Sequence, residues 1–227
     1  MDLSEYIDLL LAGPERGPRG LDGIRRRFIL DSLAITSDIS GHVAEFGCWQ
    51  GHTSAFITES LKHISPEKEL HVYDTFAGLT GRQQEDIGDF SKEFVEGAIC
   101  ASKEEFLATQ KNYEVKSPVI HQVDVCKLHP KQVMPFSFVF LDMDYYAPTY
   151  QALACVWPKM PKGGMLLIDD YFFACTPGVP RAVQKFFSLQ KISLPTHQLS
   201  EPVTSMADLN KRQCFRASYA LGIRKMD

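Results

Sequence analysis

The sequence predicts an α/β fold, a mostly parallel sheet covered by helices on both faces. Three observations carry this expectation. Runs such as Phe138-Val-Phe-Leu and Met165-Leu-Leu-Ile are apolar at every position, as strands buried on both sides require. Segments with helical spacing of apolar residues separate these runs. Glycines and acids gather just after them, where open α/β sheets bind ligands.

Taken in order, residues 3–12 carry a short helical pattern, followed by the breaker-rich GPERGPRG at 13–20. From Leu21 to Ile39 the spacing of Ile24, Phe28, Leu30, Ile35 and Ile39 predicts a helix. Val43–Cys48 reads as a strand, Thr53–Ile64 as a helix and Glu69–Thr75 as the next strand. Residues 77–100, with Gly78, Gly81, Gly88 and Gly97, read as a loop long enough to be a lid, carrying Arg82, Asp86 and Asp89. Residues 102–112 look helical. Pro118–Val123 and Phe136–Asp142 are strands, Pro148–Met160 a helix, Met165–Ile168 a strand and Pro180–Leu189 a helix. A strand is expected near Thr196–Leu199 and a longer one across Cys214–Ile223.

At 227 residues, with 44% hydrophobic and 23% charged content, the chain has the material for a packed core and is not a disordered tail. Lys and Arg number 24 against 28 Asp and Glu, a net charge of −4, so no basic field points to nucleic acid or anionic membrane. Six scattered cysteines without a C-x-x-C pair read as reduced thiols of a cytoplasmic protein. The N-terminal MDLSEYIDLLLAG lacks the basic start of a signal peptide, and no apolar run reaches the ~18 residues of a membrane span. The expected organisation is one domain over 1–227. Residues 1–40 form a helical cover and 41–227 the catalytic core.

The segment Val43-Ala-Glu-Phe-Gly-Cys-Trp-Gln-Gly-His-Thr-Ser54 runs from strand through a glycine turn into a helix. Gly47 and Gly51 permit a tight turn and close backbone approach, with donors at the helix start where Thr53 and Ser54 stand. The spacing is G-x-x-x-G, not the G-x-G-x-x-G of a dinucleotide loop, and Cys48 and Trp49 would crowd a pyrophosphate. Glu45 suits a cationic ligand. Asp74, 27 residues after Gly47, can accept hydrogen bonds from both ribose hydroxyls. Together they favour S-adenosylmethionine over NAD. Asp124, just after a strand, either reaches the adenine amino group or caps the segment that follows. His52 either faces the cofactor or caps its helix.

Asp142 and Asp144 end one apolar strand, and Asp169 and Asp170 end the next. No Lys or Arg occurs from Gln132 to Pro158 or from Gly163 to Pro180, so local sequence supplies no counter-charge. Clustered carboxylates without a partner either take up protons or bind a hard cation, and an oxygen-only set suits Mg2+. The plainer alternative is that Asp169 and Asp170 cap a loop, while Asp142 and Asp144 are solvated acids at a strand end. Arg25-Arg26-Arg27 reads as a solvated helix face, with gripping of an anionic acceptor as its sharper alternative. Trp157 and Phe172-Phe173 fit core or substrate platform equally.

The segments AEFGCWQG, VYDTFAGL, VFLDMDYYAPTYQAL, PKMPKGGMLLIDDY and PGVPRAVQKF together resemble the macrocin/mycinamicin O-methyltransferase (TylF/MycF-type) family, over about Gly41 to Phe187. The resemblance implies a Rossmann-like class I methyltransferase with a seven-stranded sheet, its last strand antiparallel. It implies Mg2+ held by Asp142, Asp169 and Asp170, with Asp144 behind them or acting as general base. It also implies methylation of a hydroxyl on a sugar or glycosylated natural product. Tyr145 stands where catechol methyltransferases carry a lysine, which speaks against a catechol mechanism. A phenolic or other small hydroxylated acceptor is the second expectation, and a binding protein on the same fold the third. Family enzymes often associate into homo-oligomers, though the sequence marks no interface.

Overall fold

A computed structural model describes residues 22–226. The expected helix at 3–12 and the breakers at 13–20 lie outside that range, as does half of the N-terminal cover. Seven strands form one sheet: β1 (His42–Phe46), β2 (Leu70–Asp74), β3 (Val119–Gln122), β4 (Phe136–Leu141), β5 (Met165–Ile168), β6 (Cys214–Ala217) and β7 (Ala220–Arg224). Their order is β3-β2-β1-β4-β5-β7-β6. Strands β1 to β5 pair in parallel, and β7 runs against both β5 and β6. The chain winds outward one way through β2 and β3 and the other way through β5. A crevice therefore opens at the carboxyl ends of β1 and β4.

The unbroken apolar runs have a direct cause. In β4, Val139 and Leu141 join the core on one face, while Phe138 and Phe140 join the core on the other. Every position of that strand is buried. The first core holds α4 (Tyr146–Val156) and α5 (Gly178–Leu189) against the sheet through Leu153, Val156, Val183 and Phe186. The second is covered by α1 (Gly23–Ile35), α2 (His52–Ile64) and α6 (Met206–Lys211) through Ile29, Leu33, Ile57, Leu61 and Leu209. Between β2 and β3 lies α3 (Lys103–Asn112), opened by a reciprocal cap between Ser102 and Glu105. Trp157 is buried in the first core with its ring edge-on to Phe187, so it is a packing residue.

Some expected elements differ. Helix α1 starts at Gly23, capped by Asp22, and stops at Ile35 rather than Ile39. The helix expected over Pro148–Met160 starts two residues earlier and gives way to a 3-10 turn at Trp157–Lys159, where Pro158 removes a backbone donor. Thr196–Leu199 is no strand; Thr196–Ser200 forms a 3-10 turn. Its neighbourhood wraps the Arg212 guanidinium, which donates to the carbonyls of Gln198, Glu201 and Pro202. The long strand expected over Cys214–Ile223 is instead a hairpin, β6 and β7, joined by Ser218-Tyr219. Helix α6 was not foreseen. Among the described residues no helix is long and apolar enough to cross a membrane.

Candidate active site

A cavity of about 360 Å³ opens at the carboxyl ends of β1, β2, β4 and β5. Each of these four strands is followed, within three residues, by a non-glycine residue in the left-handed region: Trp49 (φ 44°), Phe76 (φ 55°), Asp144 (φ 57°) and Asp170 (φ 59°). Such a conformation costs of order 1–2 kcal/mol for an L-residue and persists only where the surroundings enforce it. At Gly47 the need for glycine is steric. A Cβ there would lie 1.9 Å from the Asp142 carbonyl oxygen, so the first turn can cross the end of β4 only without a side chain.

The glycine turn is held from β2. One Asp74 oxygen, Oδ2, accepts from the Cys48 N–H at 2.7 Å and the Trp49 N–H at 3.4 Å, and Oδ1 accepts from Phe76 N–H at 2.7 Å. The carboxylate also lines the cavity, and three accepted bonds leave part of its acceptor capacity unused. Glu45 is 1% exposed and also lines the cavity. Its Oε2 accepts from Ser54 Oγ, while Oε1 has no partner. Burial pushes the Glu45 carboxyl up to about 8, only partly opposed by the Ser54 hydrogen bond. A buried carboxylate oxygen without a donor, facing a cavity, is a socket for a cationic or N–H-bearing ligand group.

On the β4–β5 side, carboxylate oxygens of Asp142, Asp144 and Asp170 lie within 4.8 Å of one another. Burial raises Asp142 well above the carboxylate range, and the charges of Asp169 and Asp170 add to it. Asp170 is raised by burial and by Asp144, with which it shares a hydrogen bond. Asp169 stands apart from this trio. Arg25 Nη1 of helix α1 donates to its Oδ2 at 2.5 Å, drawing against the effect of burial. A counter-charge thus does reach the acids, from 144 residues away in sequence. Arg25, expected on a solvated face, has a side chain only 17% exposed and lines the cavity.

Of the remaining residues marked from sequence, Thr53 and His52 line the cavity, with His52 Nδ1 3.0 Å from the Tyr113 hydroxyl. Ser54 donates to Glu45. Gly51 packs against α3, where a Cβ would lie 2.5 Å from the Phe106 ring, and its carbonyl accepts from Gln110. Asp124 caps the turn at Val125–Lys127, accepting from Cys126 N–H at 3.0 Å. The loop 77–100 forms one wall, with Leu79, Thr80, Phe94 and Ile99 at the cavity. It is tied down by Tyr145, whose hydroxyl donates to the Phe94 carbonyl, and by Asp86, which accepts from Tyr146 N–H at 2.6 Å. Phe173 and Tyr219 complete the rim. Sequence reasoning passed over Tyr219 because it sits in a hairpin turn that carries no glycine.

The family model described as Macrocin-O-methyltransferase (TylF) matches residues 23–204. The chain is 24% identical over 153 residues to demethyldecarbamoylnovobiocin O-methyltransferase of Streptomyces niveus, covering 63% of this chain and 57% of that protein. It is 26% identical over 169 residues to mycinamicin III 3''-O-methyltransferase of Micromonospora griseorubida, covering 70% and 65%. The aligned part thus spans less than two-thirds of these relatives' length. The structure of the O-methyltransferase NovP superposes over all of both chains with a TM-score of 0.73 at 17% identity, a likeness of fold.

Proposed function

The chain belongs to the macrocin O-methyltransferase family, and from that premise we propose that it transfers a methyl group from S-adenosylmethionine to a hydroxyl of a sugar or glycosylated natural product, with Mg2+ at the acidic cluster. One domain carries the whole reaction. The observation that supports this reading best is the pairing, in one cavity, of an unpartnered buried Glu45 oxygen with three converging aspartates.

The donor set fits both groups. Glu45 Oε1 lacks the partner that the amino group of a methionine moiety would be, and Asp74 keeps lone pairs for ribose hydroxyls. Gly47 and Thr53 border the same space. S-adenosylmethionine supplies an electrophilic methyl on a sulfonium. An all-oxygen set of buried carboxylates suits a hard divalent ion, and Arg25 offsets only part of their charge. Mg2+ supplies a positive charge that lowers the pKa of an alcohol. Asp142 and Asp170 would hold it. The third carboxylate is Asp144, already within 4.8 Å, or Asp169 once Arg25 releases it.

The chain's own residues do the rest. Asp144 accepts the acceptor hydroxyl proton. Loop 77–100, through Leu79, Thr80, Phe94 and Ile99, and Phe173 wall the cavity and would orient an acceptor and limit water beside it.

The test is methyl transfer to a panel of glycosides and free phenols, with and without EDTA. Asp142→Asn and Asp170→Asn should abolish turnover and Mg2+ binding together, while S-adenosylmethionine binding by calorimetry survives. Undiminished turnover of both variants in EDTA would remove the metal from the reading. Activity on phenols alone would replace the acceptor class.

A further inference from the structure

The opposite end of the sheet holds a second polar cluster, which methyl transfer does not use. His42 opens β1, Glu69 directly precedes β2, His71 is the second residue of β2, and His121 lies in β3. In the sheet register Ala44 faces His71 and Tyr73 faces His121, so the three imidazoles share one face of the sheet. One ring nitrogen each of His42 and His71 and one carboxylate oxygen of Glu69 lie within 4.8 Å of one another.

His71 is the unusual member. It is only 7% exposed, and its Nδ1 lies 3.0 Å from His121 Nε2. Its Nε2 is buried with no hydrogen-bond partner. A buried ring nitrogen left unpaired costs the full desolvation of that group. If Nδ1–H donates to His121, Nε2 is a bare lone pair. That is how a metal-ligating histidine is oriented, with its other N–H given to an outer partner.

The other two groups are available at low cost. His42 Nδ1 accepts from the Glu69 backbone N–H at 3.0 Å, an exposed bond that water can replace. The Glu69 carboxylate pairs with Lys116 at 3.3 Å, but the Lys116 side chain is 78% exposed and such pairs contribute little. The Phe136 ring, 5.6 Å from that of His71, and Tyr73, stacked on His121 at 4.3 Å, close the inner side. Solvent reaches the cluster from the outer side.

We propose that His42, Glu69 and His71 form a second metal site, distinct from the aspartates, that takes Zn2+ or a similar borderline divalent ion. Two nitrogens and one carboxylate oxygen suit zinc rather than magnesium, with water as the fourth ligand. The ion ties the start of β1 to that of β2. His121 is a positioning residue, which holds the His71 ring in the ligating orientation and so couples edge strand β3 to the site.

The experiment titrates the untagged, metal-stripped chain with ZnCl2 by calorimetry in excess Mg2+, which keeps the hard carboxylate site out of the measurement. CoCl2 is added in parallel and followed by visible absorption. The wild type should take up one Zn2+ per chain and give the intense d–d bands of a low-coordinate site with Co2+. Loss of an outer partner at zinc sites typically costs 10–100-fold, so His121→Leu should weaken Zn2+ binding at least about 10-fold and His42→Ala about 100-fold or more. Both residues stand at least partly open to solvent, and far-ultraviolet circular dichroism confirms that each variant is folded. No Zn2+ uptake below about 1 mM, or unchanged affinity in His42→Ala and Glu69→Gln, overturns the proposal. Neither result bears on methyl transfer, because the readout is metal binding alone.

Discussion

Replacing Glu45 by Gln gives the most quantitative test of the site. The folded chain holds the Glu45 proton up to a pH of about 8, against an ordinary value of 4.5. Below pH 4.5 both folded and unfolded chains are protonated and the residue adds no pH dependence. Between 4.5 and 8 the unfolded chain releases a proton that the folded chain keeps, so stability falls as pH rises. Above 8 both are ionised and the loss stays constant. Each pH unit in that window is worth about 1.4 kcal/mol, so by pH 7 the carboxyl costs the empty fold roughly 3 kcal/mol. Glutamine can still accept from Ser54 but carries no such penalty. The advantage of Glu45→Gln over wild type should therefore grow by about 2–3 kcal/mol between pH 5 and pH 7. In a chain of this size that is roughly 5–10 °C in the melting midpoint. Affinity should move the other way. Loss of a charge-assisted hydrogen bond, worth about 1.5–3 kcal/mol, weakens S-adenosylmethionine binding some 10–100-fold. Differential scanning calorimetry at several pH values and titration calorimetry read the two effects. A melting difference that is flat with pH would refute the buried-proton argument, and unchanged affinity would refute the contact.

Three further outcomes are expected. Arg25→Met leaves the 3%-exposed Asp169 without its guanidinium, and should lower the urea unfolding free energy by about 3–5 kcal/mol. In Arg25→Met/Asp169→Asn much of that loss should return, and strict additivity would deny the coupling. Gly47→Ala drives a methyl into the Asp142 carbonyl from a φ of +80°, and should cost roughly 3 kcal/mol or more with loss of ligand binding; a variant with wild-type melting would contradict that steric reading. Between Asp144→Asn and Asp169→Asn, the variant with the larger rise in the Mg2+ dissociation constant identifies the third ligand. Equal Mg2+ affinity in both and in wild type would exclude either from that role.

The central sheet was legible because its strands are buried on both faces and so write themselves as unbroken apolar runs. The positions of Gly47, Asp74 and the four aspartates followed from the rule that ligands meet parallel sheets at strand ends. What stayed hidden depends on distant partners. Arg25 looks like one basic residue of three until the fold sets it against Asp169, and nothing within either segment signals the other. Thr196–Leu199 is expected as a strand, yet Gln198 spends its side-chain oxygen on the N–H groups of Gln213 and Cys214, at 3.1 and 3.0 Å. The β6–β7 turn carries Ser218 at φ 59°, where glycine would have announced the reversal. Asp124 fits ligand contact or cap from sequence alone, and its hydrogen bond from Cys126 N–H appears only once the turn at Val125–Lys127 is folded.

The left-handed residues after β1, β2, β4 and β5 bear on how this chain could be made hardier. All four strained positions lie at the cavity end, and relaxing them would raise the melting temperature while shifting the turns that aim Asp142, Asp144 and Asp170. Selection for heat resistance alone would find such changes early and lose turnover with them. Stabilising substitutions are better sought at the opposite rim of the sheet and on the outer faces of α3 and α5. There a gain in rigidity leaves the geometry of the acids untouched.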